Sequence, residues 1–284
     1  MKLRVLTYNV WGLPSPLTTG SLARFKQIKE EIGAYDVVVL QEVFGLQVRD
    51  QILKSAFPFK SFARHARLIP FFNRIGTGLV ILSKFPIIRT SRLRFNPFRA
   101  TDFDRFALKG ALHSRILLPN QSTLDLFTTH LQAEEGPLPE KIRIYQLRRL
   151  AKFIKQHHRK DHSWILAGDF NSTPNSPSHR EIFRELQLTD ALEVYCHKNP
   201  LLPQNSFMTY SNENDWLSND SNRINKRIDY IFFQNGRLNS LDVENVKLAF
   251  NRSRCLGKHL SDHFGVEALF HVHTNEAPGG IHEA

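Results

Sequence analysis

The chain has 284 residues, 41% of them hydrophobic and 22 of them Phe, which is enough apolar side chain for one sizeable core and excludes a disordered type. Lys and Arg number 38 against 27 Asp and Glu, a surplus of +11 that favours an anionic partner, nucleic acid or an anionic lipid surface, without choosing between them. The two cysteines, Cys196 and Cys255, exclude a disulfide scaffold while leaving room for a single bridge.

The start, MKLRVLTYNVWGLP, reads as a short strand rather than a charged segment followed by a continuous apolar run, so no signal peptide is expected. No stretch approaches 18 uninterrupted apolar residues, and a spanning helix is not expected either. The expected location is the cytoplasm or the periphery of a membrane. Strand-length apolar runs then recur: LRVLTYNV (3–10), DVVVLQEV (36–43), TGLVILS (77–83), GALHSRILL (110–118), TLDLFTTHL (123–131), WILAGDF (164–170), RIDYIFF (227–233) and HFGVEALF (263–270). Helical patterns lie between some of them. SLARFKQIKEEIG has Ser21 as an N-cap, Leu22, Phe25, Ile28 and Ile32 on one side and Gly33 as a stop. LPEKIRIYQLRRLAKFIKQHH sets Ile144, Leu147, Ala151 and Ile154 at helical spacing with basic residues on the far face. Strands that follow one another with few helices argue for two packed sheets covered by helices. No linker divides the chain, so one domain is expected over residues 1–272, with a disordered tail over 273–284.

Several strands end in polar groups that a purely structural strand does not need. Asn9 closes the first, Glu42 the second and His130 the run at TTHLQAE; Asp169 and Asn171 close ILAGDFNSTP, Asp229 sits in RIDYIFF, and Asp262 and His263 open the last. Any one of them serves equally as a cap or an Asx-turn. Together they match the contents of one hard-cation and phosphate site. Mg²⁺ prefers oxygen ligands and binds through one or two carboxylates plus water and substrate phosphate, so Glu42 with Asn9 or Asp262 would suffice. Phosphodiester hydrolysis also needs a positioned water, a base and stabilisation of charge on the phosphoryl oxygens. Histidine suits the base, with a buried carboxylate behind it to fix its tautomer. Zinc sites more often show closely spaced Cys and His, and the cysteines here stand alone.

The series TYNVWG, VVLQEV, GTGLVILSKFPI, THLQAE, AGDFNSTP, RIDYIFF and SDHFGV, in that order across nearly the whole chain, resembles the endonuclease/exonuclease/phosphatase superfamily. The resemblance implies an α/β fold, a four-layer sandwich of two mostly antiparallel sheets packed face to face with helices outside. It implies Mg²⁺, with Mn²⁺ as a substitute, held by Glu42 with Asn9 and with Asp262 nearby. It implies His263 as general base oriented by Asp229, Asp169 positioning the water, and Asn171 and His130 contacting the phosphate. An alternative assigns the activation of water to Asp169.

Among the branches, inositol phosphatases carry Trp-Cys-Asp-Arg where this chain has Lys226-Arg227-Ile228-Asp229-Tyr230, and abasic-site nucleases lack a histidine block like TTHLQAE. NVWGLP, THLQAE and DRFALKGAL together are similar to the neutral sphingomyelinases. That implies hydrolysis of sphingomyelin or a related phospholipid to phosphocholine and ceramide, with Asp104 and Lys109 as a switch pair needed for activity. The alternative is a Mg²⁺-dependent nuclease of the same fold, and a third reading is a catalytically idle membrane- or nucleic-acid-binding module. Membrane contact is expected from SFARHARLIPFFNRIG, where Phe71, Phe72 and Arg74 combine aromatic and basic character. The same combination suits single-stranded nucleic acid. No protein partner is evident.

Overall fold

The computed structural model describes residues 1–13, 20–62, 76–96, 108–202, 206–218 and 225–275. Phe71, Phe72, Arg74 and Asp104 lie outside the described residues, as do residues 276–284 of the expected tail. Along the chain, β1 (Lys2–Gly12) leads through α1 (Ser21–Glu31) and a 3₁₀ turn (Ile32–Ala34) to β2 (Val37–Val43) and α2 (Leu46–Leu53). Next come β3 (Phe59–Phe62), β4 (Val80–Ser83), β5 (Ile87–Arg94), β6 (Gly110–Leu117), β7 (Thr123–His130) and α3 (Pro137–His157). Then follow β8 (Trp164–Asp169), α4 (Pro177–Leu186), β9 (Thr189–Asp190), α5 (Ala191–Lys198), β10 (Tyr210–Ser211), β11 (Asn225–Lys226) and β12 (Asp229–Gln234). The chain continues through β13 (Asn239–Ala249), β14 (Arg254–Cys255), β15 (Lys258–His259) and β16 (Gly265–Thr274).

Two six-stranded sheets result, ordered β13-β16-β1-β2-β4-β3 and β5-β6-β7-β8-β12-β9. In each, the central pair is parallel, β1 with β2 and β7 with β8, and every other pairing is antiparallel. A parallel neighbour needs a crossover connection; α1 supplies it in the first sheet and α3 in the second. Three apolar clusters fill the spaces between four layers. Phe25, Ile28, Val48 and Ile52 of α1 and α2 pack on Leu6, Tyr8, Val38 and Leu40. Leu3, Val5, Val37 and Val39 meet Leu124, Leu126, Ile165 and Ile231 between the sheets. Leu147, Leu150, Ala151 and Ile154 of α3 cover Phe127, Trp164 and Leu166. This is the four-layer α/β sandwich expected from the sequence.

The period-two alternation of strands explains how this core turns into a site. The inward-facing residues of β1 run Leu3, Val5, Thr7, Asn9, and those of β7 run Leu124, Leu126, Thr128, His130; all are buried. In β8 they run Ile165, Ala167, Asp169. Apolar at one end and polar at the other, these strands carry the inter-sheet space from core to cleft. Midway, the Gln41 amide donates across it to Thr7 Oγ1 and Thr128 Oγ1, each at 3.2 Å. Gly168, at φ 153, permits the closest approach: a Cβ there would sit 2.1 Å from the Thr129 carbonyl oxygen of the neighbouring strand.

Several local expectations are corrected. Ser21 is the first helical residue rather than the cap; Gly20, at φ 63, is the N-cap and no side chain bonds there. Leu22, assigned to the apolar side of α1, is 57% exposed, while Arg24 is 1% exposed. In α3 the buried face is centred on Ile142, Leu147, Leu150, Ala151 and Ile154, and Ile144 lies at its margin. The last strand continues through Thr274, beyond the expected start of the tail, because His273 and Thr274 pair with Ser240 and Asn239 of β13. Both cysteines are free, and no helix among the described residues is long and apolar enough to cross a membrane.

Candidate active site

At the polar ends of the central strands lies a cleft of about 1080 Å³. Register assembles its floor. In the second sheet His130 is the cross-strand partner of Asp169, and Asp169 of Asp229, so three adjacent strands present them side by side. From the first sheet, the ends of β1 and β2 bring Asn9 and Glu42. The segment before β16 brings Asp262 and His263. Glu42, Lys109, His130, Asp169, Asn171, Asp262 and His263 all line the cleft.

The Asn9 amide is the hub. Its Nδ2 donates to Glu42 Oε1 at 3.0 Å and to Asp169 Oδ2 at 2.9 Å, while its Oδ1 accepts the Trp11 N–H at 3.1 Å. The last bond fixes the amide's orientation. Asn9 therefore presents N–H groups rather than an oxygen to Glu42 and Asp169. Asp169 Oδ1 accepts the Asn171 N–H at 2.9 Å, and the Asn171 amide donates to the Leu131 carbonyl at 3.1 Å. The Asx-turn and the site are thus one structure. Trp11, Glu42 and Asn171 hold φ of 47°, 61° and 48°, a left-handed conformation costing each about 1–3 kcal/mol that persists where surrounding structure enforces it. Gly12 allows the tight fit at the β1 end: a Cβ there would lie 2.5 Å from the Glu42 carbonyl oxygen.

His263 Nδ1 lies 2.9 Å from Asp229 Oδ2, and its Nε2 lies 3.8 Å from Asp169 Oδ2. Burial alone would lower the His263 pKa, but Asp229, the hydrogen bond to it, Asp169 and Asp262 together raise it well above the ordinary value. His130 is the opposite case. Burial and the adjacent Lys109 ammonium, 3.0 Å from His130 Nε2, push it down to about 3, so it is neutral. Lys109 also donates to the Leu131 carbonyl.

Burial, and then the Asp262 charge, push Glu42 up to about 7, and burial raises Asp262 as well. These two carboxylates are oxygen donors of the kind that could hold a hard cation. Asp169, Asp229 and His263 also bring one ligand atom each within 4.8 Å of one another. There, however, the His263–Asp229 bond already engages Nδ1 and a carboxylate oxygen, so Glu42 and Asp262 fit a divalent cation better. The raised Glu42 pKa has a testable sign. Its contribution to stability is fully present below about 4.5 and is lost as pH rises through about 7. Melts of the cation-free protein between these limits will show stability falling with pH, and Glu42→Gln will flatten the slope.

The family model described as the Endonuclease/Exonuclease/phosphatase family matches residues 6–263. The chain belongs to that family. Among curated relatives it is 28% identical over 98% of its length to the inositol phosphosphingolipids phospholipase C of Schizosaccharomyces pombe. It is 29% identical over 94% of its length to a Mycobacterium tuberculosis sphingomyelinase. The match covers 70% of the first protein and 52% of the second, so the chain spans only part of their length. Among solved structures, the fold is similar to a Staphylococcus aureus beta toxin variant with bound magnesium ions, at TM-score 0.72, 20% identity and coverage of 94% and 99% of the two chains. It is similar also to D. rerio TDP2 complexed with single strand DNA product, at TM-score 0.74, 18% identity and coverage of 95% and 99%.

Within this family member, sequence reasoning missed residues that hold the site from behind. Ser261 Oγ donates to the Asn9 carbonyl at 2.7 Å and stands 3.1 Å from Asp262 Oδ1, tying β1 to the segment of Asp262 and His263. Arg24 donates to the Leu260 carbonyl and, at 3.0 Å, to the Trp11 carbonyl, so a buried guanidinium joins the same two segments. The serine of SDH carried a usable signal, since it precedes two site residues; an arginine within a charged helix carried none. The Asp104–Lys109 pair is placed only at Lys109, which joins His130.

Proposed function

We propose that the chain is a divalent-cation-dependent phosphoric diester hydrolase acting on a sphingolipid phosphodiester at a membrane surface. The observation that carries this reading is the convergence, in one cleft, of the His263–Asp229 pair, the Asn9-linked carboxylates Glu42 and Asp169, and the Lys109–His130 pair. The gap of 3.8 Å between His263 Nε2 and Asp169 Oδ2 suits an oxygen held by both, as a bridging water is. In this reading neutral His263 takes the proton of that water as the oxygen attacks phosphorus, and Asp229 stabilises the imidazolium that forms. Lys109 supplies positive charge next to neutral His130, and these two with Asn171 face the phosphoryl oxygens. The bond to the lipid alkoxide breaks, the alkoxide takes a proton from solvent to leave as the ceramide hydroxyl, and His263 returns its proton to solvent. Mg²⁺, or Mn²⁺ in its place, held by Glu42 and Asp262 would supply the charge that polarises the phosphoryl oxygen.

Lipid is favoured over nucleic acid by the curated relatives that match nearly the whole chain, an inositol phosphosphingolipids phospholipase C and a sphingomyelinase. The test is hydrolysis of sphingomyelin, inositol phosphosphingolipid, phosphatidylcholine and single- and double-stranded DNA, each with Mg²⁺ and with chelator. Chelator-sensitive release of a phosphorylated headgroup from a sphingolipid supports the reading. DNA cleavage with intact lipids would replace it with the nuclease.

A further inference from the structure

We propose that Thr209 is a positioning residue for the His263–Asp229 pair, holding both members through their backbone. This rests on the reading that the pair takes part in the reaction. Thr209 is fully buried and belongs to none of the motifs that the sequence displays. Its Oγ1 accepts the N–H of Ile228 at 3.1 Å and the N–H of Asp229 at 3.2 Å. Its carbonyl oxygen accepts the N–H of Phe264, the residue after His263, at 2.7 Å, and its own N–H donates to the Lys226 carbonyl at 3.0 Å. One residue therefore grips the start of β12, where Asp229 sits, and the segment that delivers His263. Asp229 opens β12 of one sheet, and His263 lies in the segment leading into β16 of the other, so their relative height is set by contacts that cross between the sheets. The Thr209 hydroxyl and carbonyl are such contacts. The adjoining Tyr210 ring, 5.1 Å from the His263 ring between centroids, covers the imidazole on one flank. The consequence is kinetic: a misplacement of about 1 Å at a reacting group costs on the order of 10²-fold in rate.

Thr209→Val keeps the side-chain shape and removes the acceptor, leaving the Ile228 and Asp229 amides unpaired. Thr209→Ser keeps the acceptor. With kinetics measured where each variant is fully folded, the valine variant should lose about 10-fold or more in kcat with KM changed less than about 2-fold, whereas serine stays within about 3-fold of wild type. The downfield proton resonance of His263 Nδ1–H, hydrogen-bonded to Asp229, should shift or vanish with valine and persist with serine. Wild-type kcat and an unmoved resonance in Thr209→Val would overturn the proposal. If valine prevents folding, Thr209→Cys, whose thiol accepts only weakly, should fall between serine and wild type on one side and inactivity on the other; full activity there overturns it equally. His263→Ala and Asp229→Asn belong in the same experiment. If they lose turnover while Thr209→Val keeps it, Thr209 has no positioning role and the pair stands. If they keep turnover, the pair is not reactive and the role proposed for Thr209 falls with it.

Discussion

Replacing His263 with alanine should lower kcat by at least about 10²-fold with little change in KM, the loss expected when a general base that acts only in the transition state is removed. Asp229→Asn should approach the same loss, because an amide can leave the imidazole with its proton on the wrong nitrogen and withdraws the charge that stabilises the imidazolium. The pH profile adds a sign. His263 serves as a base only after losing its proton, and its carboxylate neighbours raise its pKa; turnover should therefore climb with pH on the alkaline side, and the climb should be absent in His263→Ala. Steady-state rates on a soluble chromogenic phosphodiester read both effects without a membrane step. If the two variants keep near-wild-type turnover while Asp169→Asn loses it, Asp169 activates the water.

Glu42→Gln should keep the fold and abolish most Mg²⁺-dependent turnover. The amide has nearly the carboxylate's shape and can still meet Asn9 Nδ2 through its oxygen, so the strand end survives; what it lacks is the anion a hard cation requires. Calorimetric titration with Mg²⁺ alone should show affinity reduced on the order of 10-fold or more. Proton release on Mg²⁺ binding near pH 7, expected of a carboxyl raised to about 7, should shrink in the same variant. Unchanged affinity and turnover would move the cation away from Glu42.

The order of motifs made the layers and much of the site legible from sequence, because β-branched runs ending in Asn, Glu, His or Asp report both a strand and the place where its inner face leaves the core. β8 is the clearest case: WILAGD is buried throughout, with an inner face that is apolar until Asp169. Other features have no local signature. β13 alternates charged and apolar residues, NSLDVENVKLA, a pattern that competes poorly with turn chemistry until β16 supplies its partner. The burial of Arg24 depends on carbonyl groups of Trp11 and Leu260, the latter 236 residues away, which no helical periodicity encodes. The orientation of the Asn9 amide likewise rests on one backbone N–H at a bulged strand end. Identity of the site residues is thus written in short blocks, whereas their mutual geometry is set by contacts between blocks.

The position of β1 between β2 and β16 has a consequence for synthesis on the ribosome. β1 gains one neighbour when Val37–Val43 emerges, but its other flank stays open until Gly265–Thr274 has been translated. Throughout that interval a nascent chain exposes the apolar strand LRVLTYNV as an unpaired edge, the kind of surface that holdase chaperones shield and that favours aggregation. Asp262 and His263 arrive with the strand that closes this gap. Completion of the sheet and completion of the catalytic constellation are therefore the same late event, and truncated or stalled chains will be both sticky and inert.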